Sequence, residues 1–135
     1  MFDHLGIVVS ELERGRRFYE AILAPLGIRL WENNSRRDGT GWLVFSTGAH
    51  QAPFFVVAAG RPSFWDDAHR VAVSPVHICF SAPSREAVDN FHAIALTQGG
   101  RDNGAPGVRR DPFYCAFILD ADGNNIEAGA YLERP

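Results

Sequence analysis

Two stretches of this chain match without a gap at an offset of 73 residues, and that match constrains the fold more than anything else in the sequence. The first opens with Asp3-His4-Leu5-Gly6-Ile7-Val8-Val9, the second with Val76-His77-Ile78-Cys79-Phe80. Laid over each other, His4 falls on His77, Phe18 on Phe91, Leu23 on Leu96 and Gly27 on Gly100. A fixed offset of this kind points to one supersecondary unit used twice. The two histidines then hold equivalent places, either side of a shared cleft. Two imidazoles near a symmetry axis, joined by a carboxylate, make a metal site.

The local pattern of the first unit is βαβββ, and the offset predicts two such units, about 1–59 and 74–132, within one domain spanning 1–135. Residues 2–9 read as a strand. Ser10, with Glu13 three residues on, has the form of a capping box, and the apolar spacing after it predicts an amphipathic helix over 11–24. Pro25 and Gly27 end that helix. Strands are expected near 27–32, 41–47 and 53–59. Residues 60–73 lack a period and read as a linker. The second unit starts with a strand at 75–82. Ser84 is a helix N-cap, and the helix runs to about 98, where Gly99-Gly100 stops it. Residues 101–112 are polar and rich in Gly and Pro, and read as a long loop. Strands at 113–119 and 125–131 flank the turn Asp120-Ala121-Asp122-Gly123-Asn124.

Composition narrows the function classes. The chain has 135 residues, 46% of them apolar, and a net charge of −3. One core fits that length. The charge gives no electrostatic reason to expect nucleic acid or an anionic membrane surface. The two cysteines, Cys79 and Cys115, lie in apolar runs. Two buried thiols and no disulfide framework fit a reducing cytoplasm. Neither a signal peptide nor a membrane-spanning run is expected.

The third ligand of a His4–His77 site is expected at Glu127. It stands mid-strand in Asn125-Ile126-Glu127-Ala128-Gly129, where a carboxylate is costly to bury unless paired or bound to a cation. His50 and His69 fall in loop-like segments, and His92 falls on a helix face where Tyr19 stands in the first unit. Tyr114 could serve as an acid or hydrogen-bond donor beside the metal, or be a core or rim aromatic. Trp31, Trp42 and Phe54 could line an apolar pocket or be sheet packing. Arg109-Arg110 could meet an anionic substrate or be a solvated loop.

In order and spacing, the His4 and His77 segments, Arg17-Phe18-Tyr19 and Asp120–Glu127 together resemble the vicinal oxygen chelate superfamily, also called the glyoxalase/bleomycin-resistance/extradiol-dioxygenase superfamily. The resemblance covers essentially the whole chain. It implies an α+β fold in which two βαβββ modules build an open, cup-shaped mixed sheet around a metal. It also implies ligands on the first and last strands of each module. His4, His77 and Glu127 fill three of those four places. The offset puts Phe54 at the fourth, and the surrounding segment 52–59 holds no ligand.

The resemblance therefore implies one divalent ion (Fe, Mn, Ni or Zn) on a His–His–Glu set, with open positions for a substrate bearing two adjacent oxygens. A dioxygenase-like reaction fits that set better than lactoylglutathione lyase activity, which needs a base at the fourth place. The alternative is an antibiotic-resistance protein of the same fold. It would either sequester a molecule such as bleomycin without metal or transfer a thiol to one such as fosfomycin. Family members commonly dimerise, and an open curved sheet has edges and apolar faces to cover, so a homodimer is expected.

Overall fold

The repeat is realised as two units of identical element order in the computed structural model, which describes residues 2–48, 53–60 and 76–132. The first unit runs β1 (His4–Val8), α1 (Leu12–Leu23), a 3-10 turn (Ala24–Leu26), β2 (Arg29–Ser35), β3 (Gly41–Ser46) and β4 (Phe54–Ala59). The second runs β5 (His77–Ser81), α2 (Arg85–Thr97), β6 (Arg101–Arg110), β7 (Phe113–Leu119) and β8 (Asn125–Tyr131). Each makes a four-stranded mixed sheet, in the orders β1-β4-β3-β2 and β5-β8-β7-β6. The first strand pairs parallel with the last, and the other pairs are antiparallel. The fold is α+β with two βαβββ units, as the repeat requires. The segment expected to link the units lies almost wholly outside the described residues.

The two helices start differently. Ser84 caps α2, its hydroxyl accepting a hydrogen bond from the Ala87 N–H at 3.1 Å. Ser10 does not complete the expected capping box. The residue before α1 is Glu11, and it makes no side-chain cap. The Ser10 hydroxyl accepts instead from Arg14, and its N–H donates to Asp122 at 3.1 Å. A contact with the other unit has taken the place of local capping.

Residues 101–112 are the other departure, because 101–110 form β6 rather than a loop. The ladder to β7 shifts register three times, between Asp102 and Gly104, Gly104 and Gly107, and Val108 and Arg110. Such bulges insert unpaired residues and destroy the two-residue alternation by which a strand is recognised.

The cores of the units merge. Phe18, Tyr19, Ile22 and Leu23 of α1 join Phe91 and Ala95 of α2, Leu43, Phe45, Phe55 and Val57 of the first sheet, and Ile118, Ile126 and Ala128 of the second. The rings of Phe55 and Phe80 meet edge-on at 5.2 Å across the units. Each fully buried side chain of this size stabilises by about 1.5–3 kcal/mol. Leu96, which the repeat matches to the fully buried Leu23, is 45% exposed. Its turn of α2 faces solvent.

Each sheet thus turns one face to the helices. Its far face is only partly shielded by this chain, and exposed residues there include His4, Trp42, His77 and Tyr131. Among the described residues β1 pairs only with β4 and β5 only with β8, so both are edge strands. No helix among the described residues is long and apolar enough to cross a membrane.

Candidate metal centre on the far face of the second sheet

Strand alternation decides which side chains share a face. On β5, Ile78 and Phe80 pack into the core, so His77, Cys79 and Ser81 point the other way. On β8, Ile126 and Ala128 enter the core, so Asn125 and Glu127 join the His77 face. Cys79 stands directly opposite Glu127, and His77 opposite Asn125. The diagonal closes with His77 Nε2 at 3.2 Å from a Glu127 carboxylate oxygen. The histidine side chain is 54% exposed while the carboxylate is 7% exposed. From β7, Phe117 stands opposite Glu127, and its ring meets His77 edge-on at 6.0 Å.

Two thiols flank this pair. The partial burial of its sulfur, with the negative charge and hydrogen bonding of Glu127 adding to it, pushes the Cys79 thiol up to about 12. Burial and the same carboxylate push Cys115 up to about 11, with Arg109 acting in the opposite direction. Both sulfurs are therefore neutral donors at physiological pH. Cys115 is buried as expected, but Cys79 is exposed. It sits on an edge strand whose far face this chain leaves open. Asn125 adds a buried amide oxygen with no hydrogen-bond partner among the described residues.

His4 occupies the equivalent place on β1, but it is not brought to His77 and Glu127. Its Nδ1 lies 2.6 Å from the Asp3 carboxylate, and its ring stacks on Phe54 at 4.7 Å with an 11° tilt. It lines a cleft of about 420 Å³ with Phe54, Phe55, Cys79, Phe80 and Ser81, which neither His77 nor Glu127 reaches. Among the described residues no three His, Cys, Asp or Glu side chains of one chain are grouped to hold a metal ion. The expected convergence of His4, His77 and Glu127 is therefore limited, within one chain, to the last two. Each first strand pairs with the last strand of its own unit, so His77 meets β8 and its Glu127 while His4 meets β4.

The register also refines the fourth place. His4 pairs with Phe54 and Gly6 with Val56, while His77 pairs with Asn125 and Cys79 with Glu127. The counterpart of Glu127 in the first unit is therefore Val56, not Phe54. The offset shrinks by two residues between the first and last strands. A two-residue slip keeps the face, and neither side chain can bind a metal.

Tyr114 does not face the centre. It lies on the helix side of β7, where its hydroxyl donates to Asp89 of α2 at 2.6 Å and the Arg85 guanidinium covers its ring at 4.9 Å. It cannot deliver a proton to a substrate on the opposite face of the sheet. His92 is buried on α2, with its Nε2 2.9 Å from Asp102. His50 and His69 lie outside the described residues. Sequence reasoning missed the thiol pair around Glu127. Its only sequence signal was that Cys79 shares strand parity with His77.

Residues 1–128 match the family model described as the Glyoxalase/Bleomycin resistance protein/Dioxygenase superfamily. A Bacillus subtilis (strain 168) protein, the uncharacterised YqjT, is 28% identical over 127 residues, covering 92% of this chain and 94% of its own. The crystal structure of a glyoxalase/bleomycin resistance protein from Albidiferax ferrireducens T118 superposes with a TM-score of 0.76. It is 29% identical, over 96% of this chain and 98% of that one. The fold is shared as well by the fosfomycin resistance protein FosX from Mesorhizobium loti, at a TM-score of 0.64 and 17% identity over 98% of this chain and 92% of that one. With the family model spanning nearly its whole length and both units built as βαβββ sheets, this chain belongs to the glyoxalase/bleomycin resistance protein/dioxygenase superfamily.

Proposed function

We propose that this protein is a metal-dependent enzyme acting on a small molecule with two adjacent oxygens. Its divalent ion would be held by His77 and Glu127 of one chain and His4 of a second copy. The observation that carries this reading is the pairing of an exposed imidazole with a nearly buried carboxylate on a face the chain leaves open. A buried carboxylate needs a counter-charge or donors, and the orphaned Asn125 oxygen marks the same face as polar and unfinished. The donor set fits a divalent transition ion: two imidazoles and one carboxylate, with positions left for substrate.

His4 is suited to its part. The Asp3 carboxylate holds Nδ1, which fixes the ring and leaves Nε2 to bind, the usual carboxylate–histidine arrangement of metal ligands. Both histidines stand on edge strands. Joining β1 of one copy to β5 of another would extend the sheets, cover two edges and bring His4 toward the His77–Glu127 pair.

When bound, the ion supplies Lewis acidity and a template for the substrate's oxygens. The chain's residues orient and exclude. Phe117 walls one side of His77, and the thiols of Cys79 and Cys115, both raised in pKa beside Glu127, add no charge to the site. Val56 supplies no base where Glu127 has its counterpart, which favours a dioxygenase-like reaction over hemithioacetal isomerisation. The latter needs a positioned proton carrier between adjacent carbons.

The test is complementation of binding. His4→Ala and Glu127→Ala should each lose tight metal binding. Unfolded and refolded as an equimolar mixture, they should regain about a quarter of the wild-type sites, because half the dimers then carry one intact site. Metal content of the protein purified without chelator checks the wild type. No recovery on mixing, with each variant dimeric and folded, would remove the shared site. A wild type with no metal affinity would leave a metal-free binding cup, as in the alternative of an antibiotic-sequestering protein.

A further inference from the structure

We infer that Arg109 is a specificity-determining residue of the His77–Glu127 centre, one that selects substrates carrying a carboxylate, phosphonate or phosphate besides the two adjacent oxygens; this rests on the metal reading above. The register breaks of β6 place it. After Gly107, which stands opposite Cys115, and Val108, which stands opposite Tyr114, the ladder skips Arg109 before Arg110 meets Phe113. Arg109 is the inserted residue, and bulges of this kind re-aim a side chain. Its direction is recorded at Gly104. A methyl group added there would lie 3.2 Å from the Arg109 Nη2 and 3.1 Å from the Phe117 ring. The guanidinium thus lies over a bare stretch of β6, beside the same Phe117 whose ring meets His77.

The guanidinium is held but not neutralised. Nη2 donates to the Ala105 carbonyl at 2.7 Å, and the guanidinium also bonds the Cys115 side chain, so several of its five N–H donors remain for a ligand. The carboxylate whose charge faces it is Asp102, and that group is taken by His92 Nε2 at 2.9 Å and by the Gly104 N–H at 3.0 Å. Among the described residues no carboxylate is within ion-pair distance of Arg109. The other charges on this face are Glu127, the adjacent Arg110 and, at the far end of β6 opposite Leu119, Arg101. β6 is two strands from β8, about 10 Å away at the usual spacing. That gap, walled by Phe117, suits a planar spacer about one ring long between the chelating oxygens and the anionic group.

The zinc-loaded protein would be titrated calorimetrically with catechol and with 3,4-dihydroxybenzoate, which differ by one carboxylate. The metal-free protein would be titrated by NMR with methylphosphonate, which reads the arginine without the metal. Wild type should bind 3,4-dihydroxybenzoate about tenfold more tightly than catechol, the size of one charge-assisted contact. Arg109→Gln should remove that preference and the methylphosphonate shifts, and Arg110→Gln should keep both. Equal affinity of wild type for the two diols, or a preference that survives Arg109→Gln, would overturn the inference. If neither diol binds but methylphosphonate still depends on Arg109, the anion site stands and the metal reading falls. If none of the probes binds, both fall.

Discussion

Glu127 and Gly129 show how closely the far face of the second sheet is fitted. Glu127 is buried because Cys79, Phe117 and His77 surround it, and each of those neighbours comes from a strand paired with its own. Two residues along, Gly129 lies under the Phe113 ring. A Cβ there would come within 2.1 Å of a ring carbon, and the ring would have to leave its place against Tyr131 at 5.0 Å. Gly129→Ala should therefore cost about 1–3 kcal/mol, the usual range for overpacking, read as a lower urea midpoint with an unchanged slope. Little of this was legible at the level of single residues. His77 and Glu127 could be named because a polar group inside an apolar strand is anomalous. Tyr114 was ambiguous because its face depends on the strand's parity relative to α2, which a short apolar run does not reveal.

At the scale of elements, the turn after β7 ties the units together. The Asp120 carboxylate accepts from the backbone N–H groups of Asp122 and Asn124 and from the Asn124 side chain. Its remaining capacity takes the buried Tyr19 hydroxyl of α1 at 2.6 Å. Tyr19→Phe should cost about 1–3 kcal/mol, since it removes a buried bond to a charged acceptor. Burial first, then Asp120, holds the Tyr19 phenol well above its ordinary 10.0. The unfolded chain therefore releases this proton at lower pH than the folded protein does. The stabilisation is complete below pH 10 and is lost as pH rises beyond it. The urea midpoint of wild type should fall more steeply above pH 10 than that of Tyr19→Phe. Helix capping gives a second contrast. Ser84→Ala should cost about 1 kcal/mol as a lost N-cap, and Ser10→Ala distinctly less, because the bond from Ser10 to Asp122 uses its backbone.

For the whole molecule, the decisive fact is that the helices of both units share one core while the far faces of both sheets look outward. A lone chain exposes Trp31 at 61%, Trp42 at 40% and Tyr131 at 70%, together with the edges of β1, β2, β5 and β6 among the described residues. Such surfaces are ordinarily covered by a partner. Sedimentation equilibrium at micromolar concentration should give a dimer. A monomer there, still binding metal, would show that one chain completes the site alone.

The sequence by itself determined the repeat, the element order of the first unit and the polar residues that do not belong in apolar strands. Those follow from local periodicity and from the cost of burying a charge, both properties of a few neighbouring residues. It did not determine the path of β6, because three bulges erase the alternation that marks a strand. Nor did it determine which histidine stands beside Glu127. Both histidines occupy equivalent positions in the repeat, and only the pairing of each first strand with the last strand of its own unit separates them. That pairing leaves His77 with Glu127 and His4 with Asp3, while α1 and α2 join the two cores into one.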